Sequence, residues 1–183
     1  MNKDLFRELY AAHSKAIYSY LFGRTNHKEL AADLLQDSFL KIWNRIEIVA
    51  KIPPEERLYW IFSIASNGLK DHYRRSAHRN KVGLQLKAAS AGDGASAEDL
   101  SGVLAGRERL RDIETHINGL PEELRCILLM KVLGELSSAQ IGIVLNQPPG
   151  TIRYKIAQAR RLLAEKLKLL ESAPIGVRRT SNE

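Results

Sequence analysis

The 183-residue sequence is short of cysteine, of long apolar runs and of acid, and each shortage removes a class of protein. Cys126 is the only cysteine, which excludes an intramolecular disulfide and any multi-cysteine metal site. It precedes the apolar run Ile127-Leu128-Leu129-Met130, where a buried and inert thiol is expected rather than a nucleophile. No apolar stretch reaches bilayer length, and Met1-Asn2-Lys3-Asp4 opens a polar helix without the apolar core of a signal peptide. No membrane insertion is therefore expected, and the expected location is the cytoplasm. Acidic residues are outnumbered, 21 against 28 Lys and Arg, giving a net charge of +7. The positive charge is clustered, which favours a polyanionic partner and ranks nucleic acid ahead of an anionic membrane surface.

β-Type alternation is scarce, whereas apolar residues recur at helical spacing through Leu5, Leu9, Ala12, Ala16, Ile17, Tyr20 and Leu21. The fold class is all-α. Asn26 with Glu29 three residues later predicts a capping box for a second helix running to about Ile46. Pro53-Pro54 then supplies a first-turn proline for a third helix that continues to about Asn80. These three helices can pack as one domain, residues 1–82. Between Lys87 and Gly106 small residues dominate and large apolar residues almost vanish, which predicts a flexible linker over 83–106. A second helical block spans 107–171, broken at Asn118-Gly119-Leu120-Pro121 and at Leu133-Gly134, and 172–183 reads as a disordered tail. The expected architecture is two small helical domains joined by that linker.

In the second block, Ser137 and Gln140 form a capping box for a short helix through Ile141, Val144 and Leu145. Asn146-Gln147-Pro148-Pro149-Gly150 breaks it, and Pro149 sits where a new helix would begin. Two helices across so short a turn make a helix-turn-helix, whose second helix can enter the major groove of DNA. Ile152, Ile156, Ala159 and Leu163 fall in one narrow stripe of that helix and should face the core. Thr151, Tyr154, Gln158 and Arg161 lie opposite, flanked by Arg153, Lys155 and Arg160. These are hydrogen-bonding groups suited to base edges and cations suited to phosphates.

The first block shows two unusual faces. In the third helix Leu58, Phe62, Ala65, Leu69 and Tyr73 share the expected core side, while Trp60, Ile64, Asn67, Asp71, Arg74, Arg75 and His78 lie opposite. An aromatic in line with amide and basic groups suits single-stranded nucleic acid, where bases stack and cations follow the backbone. Packing of Trp60 against another helix of its own domain is the alternative. In the second helix Ala31, Leu35, Phe39, Ile42 and Ile46 form the expected buried stripe, and Asp33, Gln36, Asp37, Leu40 and Asn44 face away. Asp33 and Asp37 one turn apart could suggest metal ligands, but an outward leucine between them builds no enclosed site. Nor does the chain offer a histidine ligand at helical spacing from them or a phosphate-binding loop. No cofactor, metal or catalysis is expected, and a protein-docking patch fits better.

These residues resemble the extracytoplasmic-function (ECF) class of bacterial sigma factors, which contain conserved regions two and four. Asp33-Leu34-Leu35-Gln36-Asp37-Ser38-Phe39-Leu40-Lys41-Ile42-Trp43 is similar to the family's polymerase-binding signature. Tyr59-Trp60-Ile61-Phe62-Ser63-Ile64-Ala65-Ser66-Asn67 through Asp71-His72-Tyr73-Arg74-Arg75 resembles its promoter-melting segment. Leu120-Pro121-Glu122-Glu123-Leu124-Arg125, Gly150-Thr151-Ile152 and Ala159-Arg160 resemble its region four. The sequence departs from the pattern at Ser138, at Gly142-Ile143 and in the Asn146–Pro149 turn. The resemblance implies a non-enzymatic alternative sigma factor, controlled by an environmental signal, that binds core RNA polymerase and directs promoter-specific initiation. It implies that Asp33, Gln36, Asp37 and Leu40 dock on the polymerase clamp. Trp60, Asn67, Asp71, Arg74 and Arg75 would act at the minus-ten element and on the melted non-template strand. Thr151, Arg153, Tyr154, Lys155, Gln158 and Arg161 would read the minus-thirty-five duplex. Members of the family are often held by an anti-sigma factor, which adds such a protein to the candidate partners. A self-sufficient helix-turn-helix regulator is the competing reading, but it needs no acidic docking helix.

Overall fold

The computed structural model describes residues 2–83 and 115–171, with side chains over 2–79 and 115–167; the expected linker and tail lie outside the described residues. Every regular element among the described residues is helical: α1 (Asn2–Thr25), α2 (Lys28–Trp43), α3 (Ile46–Ala50), α4 (Pro54–Gly83), α5 (Glu122–Leu133), α6 (Ser138–Leu145) and α7 (Pro149–Glu171), with a helical turn at 115–118 before α5.

The helix boundaries follow local chemistry, with two corrections. Asn26 adopts a left-handed backbone (φ 50°) and its N–H donates to the Phe22 carbonyl, closing the end of α1. It is thus not free to cap α2. His27 does so instead, with Nδ1 accepting from the Leu30 N–H at 3.2 Å. The second helix also stops earlier than expected. Its continuation is the separate short helix α3, whose Ile46 and Val49 are buried. Pro54 begins α4 as expected, since a proline at the first helical position lacks only an N–H that would have no partner there.

In the second block, the Ser137–Gln140 capping box is present with both hydrogen bonds. The turn after α6 is built differently from a glycine turn. Asn146 takes the left-handed conformation (φ 54°, ψ 49°), which asparagine tolerates better than most residues. The Gln147 N–H then reaches back to the Gly142 carbonyl at 2.9 Å. A Cβ on Gly142 would lie 2.5 Å from the Gln147 carbonyl oxygen, so this compact turn requires glycine at position 142.

The two blocks do not form separate cores. One apolar cluster runs from Leu9, Tyr20 and Leu21 of α1 through Ile61, Phe62 and Leu69 of α4 to Ile127, Met130, Ile141 and Ile152 of the second block. Helix α1 packs on α5, and α4 packs on α6. A smaller cluster of Leu120, Leu124, Leu128 and Ala159 joins α5 to α7.

Candidate nucleic-acid and partner-binding surfaces

The face of α2 emerges as the sequence suggests. Ala31, Phe39 and Ile42 are buried, joined by Leu34 and Ser38, while Leu35 is half-buried. Ser38 tolerates burial because its hydroxyl donates to the Leu34 carbonyl at 2.6 Å. Asp33, Gln36, Asp37 and Asn44 are exposed, and Leu40 among them is 51% exposed. The sequence reading missed the aromatic shelf alongside. Trp43 is part-exposed and meets Phe6 edge-on at 5.2 Å, and Tyr10, also exposed, meets Phe39 at 4.8 Å. These aromatics come from α1 and α2, so only the packing of the two helices assembles them. Among the described residues no group of three His, Cys, Asp or Glu could hold a metal ion, and the Asp33–Asp37 face is open.

Helix α4 splits the expected nucleic-acid face. Asn67, Arg74, Arg75 and His78 are exposed, whereas Trp60 and Ile64 are half-buried and packed against the core. Asp71 holds Arg74 at 3.1 Å, and Arg75 donates from Nε to the Asp71 carbonyl at 3.3 Å. Arg74, Arg75, His78 and Arg79 together line an open concavity of about 470 Å³. Tyr73, expected in the core, is 44% exposed. Partial burial and the charge of Glu122 raise its phenol pKa, against the lowering by Arg24 and Arg125.

On α7, Ile152, Ile156 and Ala159 are buried and Leu163 is half-buried, close to the expected stripe. Arg153, Tyr154, Arg160 and Arg161 are exposed, as is Ala157, and Tyr154 is 68% exposed. Thr151 and Gln158 border this face half-buried. Lys155 turns away from it. Its ammonium pairs with Glu123 of α5 and donates to the Gln147 side-chain carbonyl at 2.9 Å, while the Gln147 amide donates to Glu123 at 2.9 Å. Hydrogen bonds from Lys155 and Gln147 hold the Glu123 carboxyl below its usual pKa. The triad ties α5, the turn and the second helix together.

Cys126 is buried, and burial pushes its thiol pKa up against the opposing pull of Arg24 and of the Tyr20 hydrogen bond. A protonated, enclosed thiol is a poor nucleophile.

Comparison with known proteins matches the two helical blocks to two family models in the order found here. Residues 9–79 match Sigma-70 region 2 and residues 110–163 match Sigma-70, region 4. The chain is similar to the ECF RNA polymerase sigma factor SigW of Bacillus subtilis, 25% identical over 178 residues, covering 91% of each chain. This chain belongs to the ECF class of sigma factors. A second relative is the ECF sigma factor SigL of Mycobacterium tuberculosis, 27% identical over 159 residues, covering 87% of this chain and 86% of that one. Among solved structures, the sigma factor RpoE of Bartonella quintana, crystallised with the anti-sigma factor NepR, has the same fold. It superposes with a TM-score of 0.68 at 21% identity, over 91% of this chain and 98% of that one. In this sigma factor α2 and most of α4 fall within region 2, and α6 with most of α7 falls within region 4. No described helix is long and apolar enough to cross a membrane.

Proposed function

We propose that this sigma factor directs promoter-specific transcription through three surfaces. Asp33, Gln36, Asp37 and Leu40 of α2 dock on core RNA polymerase, with Tyr10 and Trp43 extending the contact. Trp60, Asn67, Asp71, Arg74 and Arg75 of α4 serve the minus-ten element and the melted strand. Half-burial of Trp60 leaves part of the ring for stacking and anchors the rest in the core. Thr151, Arg153, Tyr154, Gln158 and Arg161 read the minus-thirty-five duplex, and Lys155 fixes the helix that carries them. The protein performs no catalysis of its own and works in the cytoplasm, where polymerase and chromosome are. The Bartonella quintana relative is held by an anti-sigma factor, and we extend that mode of signal-dependent control to this chain.

The acidic stripe with an outward leucine carries the reading. A DNA-binding surface would not place two carboxylates and an exposed apolar side chain together on a basic protein. Run-off transcription with bacterial core polymerase and a genomic promoter library tests it. Promoter-directed transcripts that require the protein are expected; duplex binding by the isolated protein with no transcript in any condition would support the self-sufficient regulator instead.

A further inference from the structure

One cation of the recognition helix is held by a carboxylate from another helix. Lys155 follows the exposed Tyr154 on α7, at the border between the outward face and the buried stripe of Ile152, Ile156 and Ala159. Its side chain is only 19% exposed, and its ammonium pairs with Glu123 in the first turn of α5. Gln147, in the turn before α7, closes the triangle: its side-chain carbonyl accepts from Lys155 at 2.9 Å and its amide donates to Glu123 at 2.9 Å. The Gln147 backbone is itself fixed by its hydrogen bond to the Gly142 carbonyl. The neighbouring cations are placed differently. Arg153 and Arg160 are exposed and pair with no carboxylate among the described residues, and Arg161 reaches Glu165 only at 3.8 Å with both groups in water.

Packing does not require this arrangement. The Glu123 side chain is 52% exposed, so the pair lies at the surface, and a lysine at a helix border can rest its stem on apolar surface while its ammonium stays in water. A surface pair of this kind adds little stability. Its larger effect is on the charge that α7 offers to a duplex.

Contacts with phosphate are the same on every sequence, whereas contacts with base edges differ between sequences. Each phosphate neutralised steepens the dependence of log affinity on log salt by about 0.9, which is worth about eightfold in affinity at roughly 0.1 M salt. A free ammonium one residue from Tyr154 would therefore strengthen binding to every duplex alike. The genome presents a large excess of non-promoter DNA, and such a gain would hold the chain there and away from polymerase. Hydrogen bonds from Lys155 and Gln147 hold the Glu123 carboxyl below its usual pKa, so the carboxylate that prevents this is ionised at neutral pH.

We propose that Glu123 is a screening residue for DNA recognition in this sigma factor: paired with Lys155 and steadied by Gln147, its carboxylate withholds one recognition-helix cation from duplex phosphate. Binding then depends more on base edges, and the free chain is less drawn to non-promoter DNA. The role rests on the minus-thirty-five reading of α7 above. Glu123 acts through Lys155, as a positioning residue for its ammonium.

The test titrates the full chain with a short random-sequence duplex, read by fluorescence anisotropy between about 0.05 and 0.2 M salt. Glu123→Gln should bind about eightfold more tightly near 0.1 M salt, with a salt slope steeper by about 0.9. Glu123→Ala should show the same gain, since alanine suits an exposed helical position, and circular dichroism should show both variants as helical as the wild type. Combining Glu123→Gln with Lys155→Met removes both charges, releases no cation and should return the wild-type slope. A merely structural role predicts the opposite sign, because loosening the triangle would blur the recognition helix and weaken binding. Equal or weaker duplex binding by both single variants, or a gain that survives Lys155→Met, would overturn the screen; promoter-directed run-off transcripts would then leave the three-surface reading standing. The expected gain, with promoter-directed run-off unchanged by Tyr154→Ala and Arg161→Ala, would keep the screen and overturn the minus-thirty-five reading.

Discussion

Asp37 shows how far a single residue can be assigned. It is exposed on α2, so replacing it should leave the fold within about 0.5 kcal/mol of wild type. Asp37→Arg puts a cation where an acidic docking face meets its partner, and should cost at least about 2 kcal/mol of core-polymerase binding. Fluorescence anisotropy with labelled sigma factor checks this, and unchanged affinity would remove Asp37 from the docking face. Glu123 makes a different kind of prediction. Its folded pKa is depressed below the ordinary 4.5 by Lys155 and Gln147, so its contribution is complete at neutral pH. That contribution is lost as pH falls through 4.5 toward the depressed value. Thermal melts should therefore show Glu123→Gln less stable than wild type at pH 7, with the gap closing in acid; a gap that persists at low pH would assign the effect to something other than the ion pair.

The helix-turn-helix depends on one close approach as much as on its caps. Gly142→Ala sets a methyl group 2.5 Å from the backbone oxygen of Gln147, which cannot rotate away as a side chain could. The variant should lose about 1–3 kcal/mol of stability and weaken duplex binding, as melting and promoter-fragment titration would show. A full-strength turn in the alanine variant would contradict the geometry. Under the proposed function helix α4 would carry two duties on one face, with Trp60 half-buried while Asn67, Arg74 and Arg75 are exposed to solvent. Trp60→Ala should lower stability by about 1–3 kcal/mol through lost packing. It should also reduce permanganate reactivity of the melted promoter bases more than it reduces core binding. Equal losses in both assays would reduce Trp60 to a packing residue.

At the scale of the molecule, the continuous core from α1 through α4 into α5, α6 and α7 predicts cooperative behaviour. Heating the free chain should give one calorimetric transition rather than a separate one for each sigma region. Two resolved transitions would mean that the seam adds little. Phe62 and Leu129 are both buried and lie against Gly134 and Gly23 of the opposite region, so separating the regions would expose apolar surface at a cost in free energy.

The sequence by itself determined the helical class, the two sigma regions, the Ser137 cap, the Pro149 start and the outward stripe of α2. All of these depend on residues within one or two helical turns of each other, where spacing and local hydrogen bonds decide the outcome. Tertiary structure decided the rest. The shift of the α2 cap to His27 depended on how α1 ends, and Lys155 left the recognition face because Glu123 of another helix holds it. Most of all, nothing near Arg24 in the chain announces Glu122. Their pairing depends on apolar surface shared by elements about a hundred residues apart, and no local pattern encodes a contact at that separation.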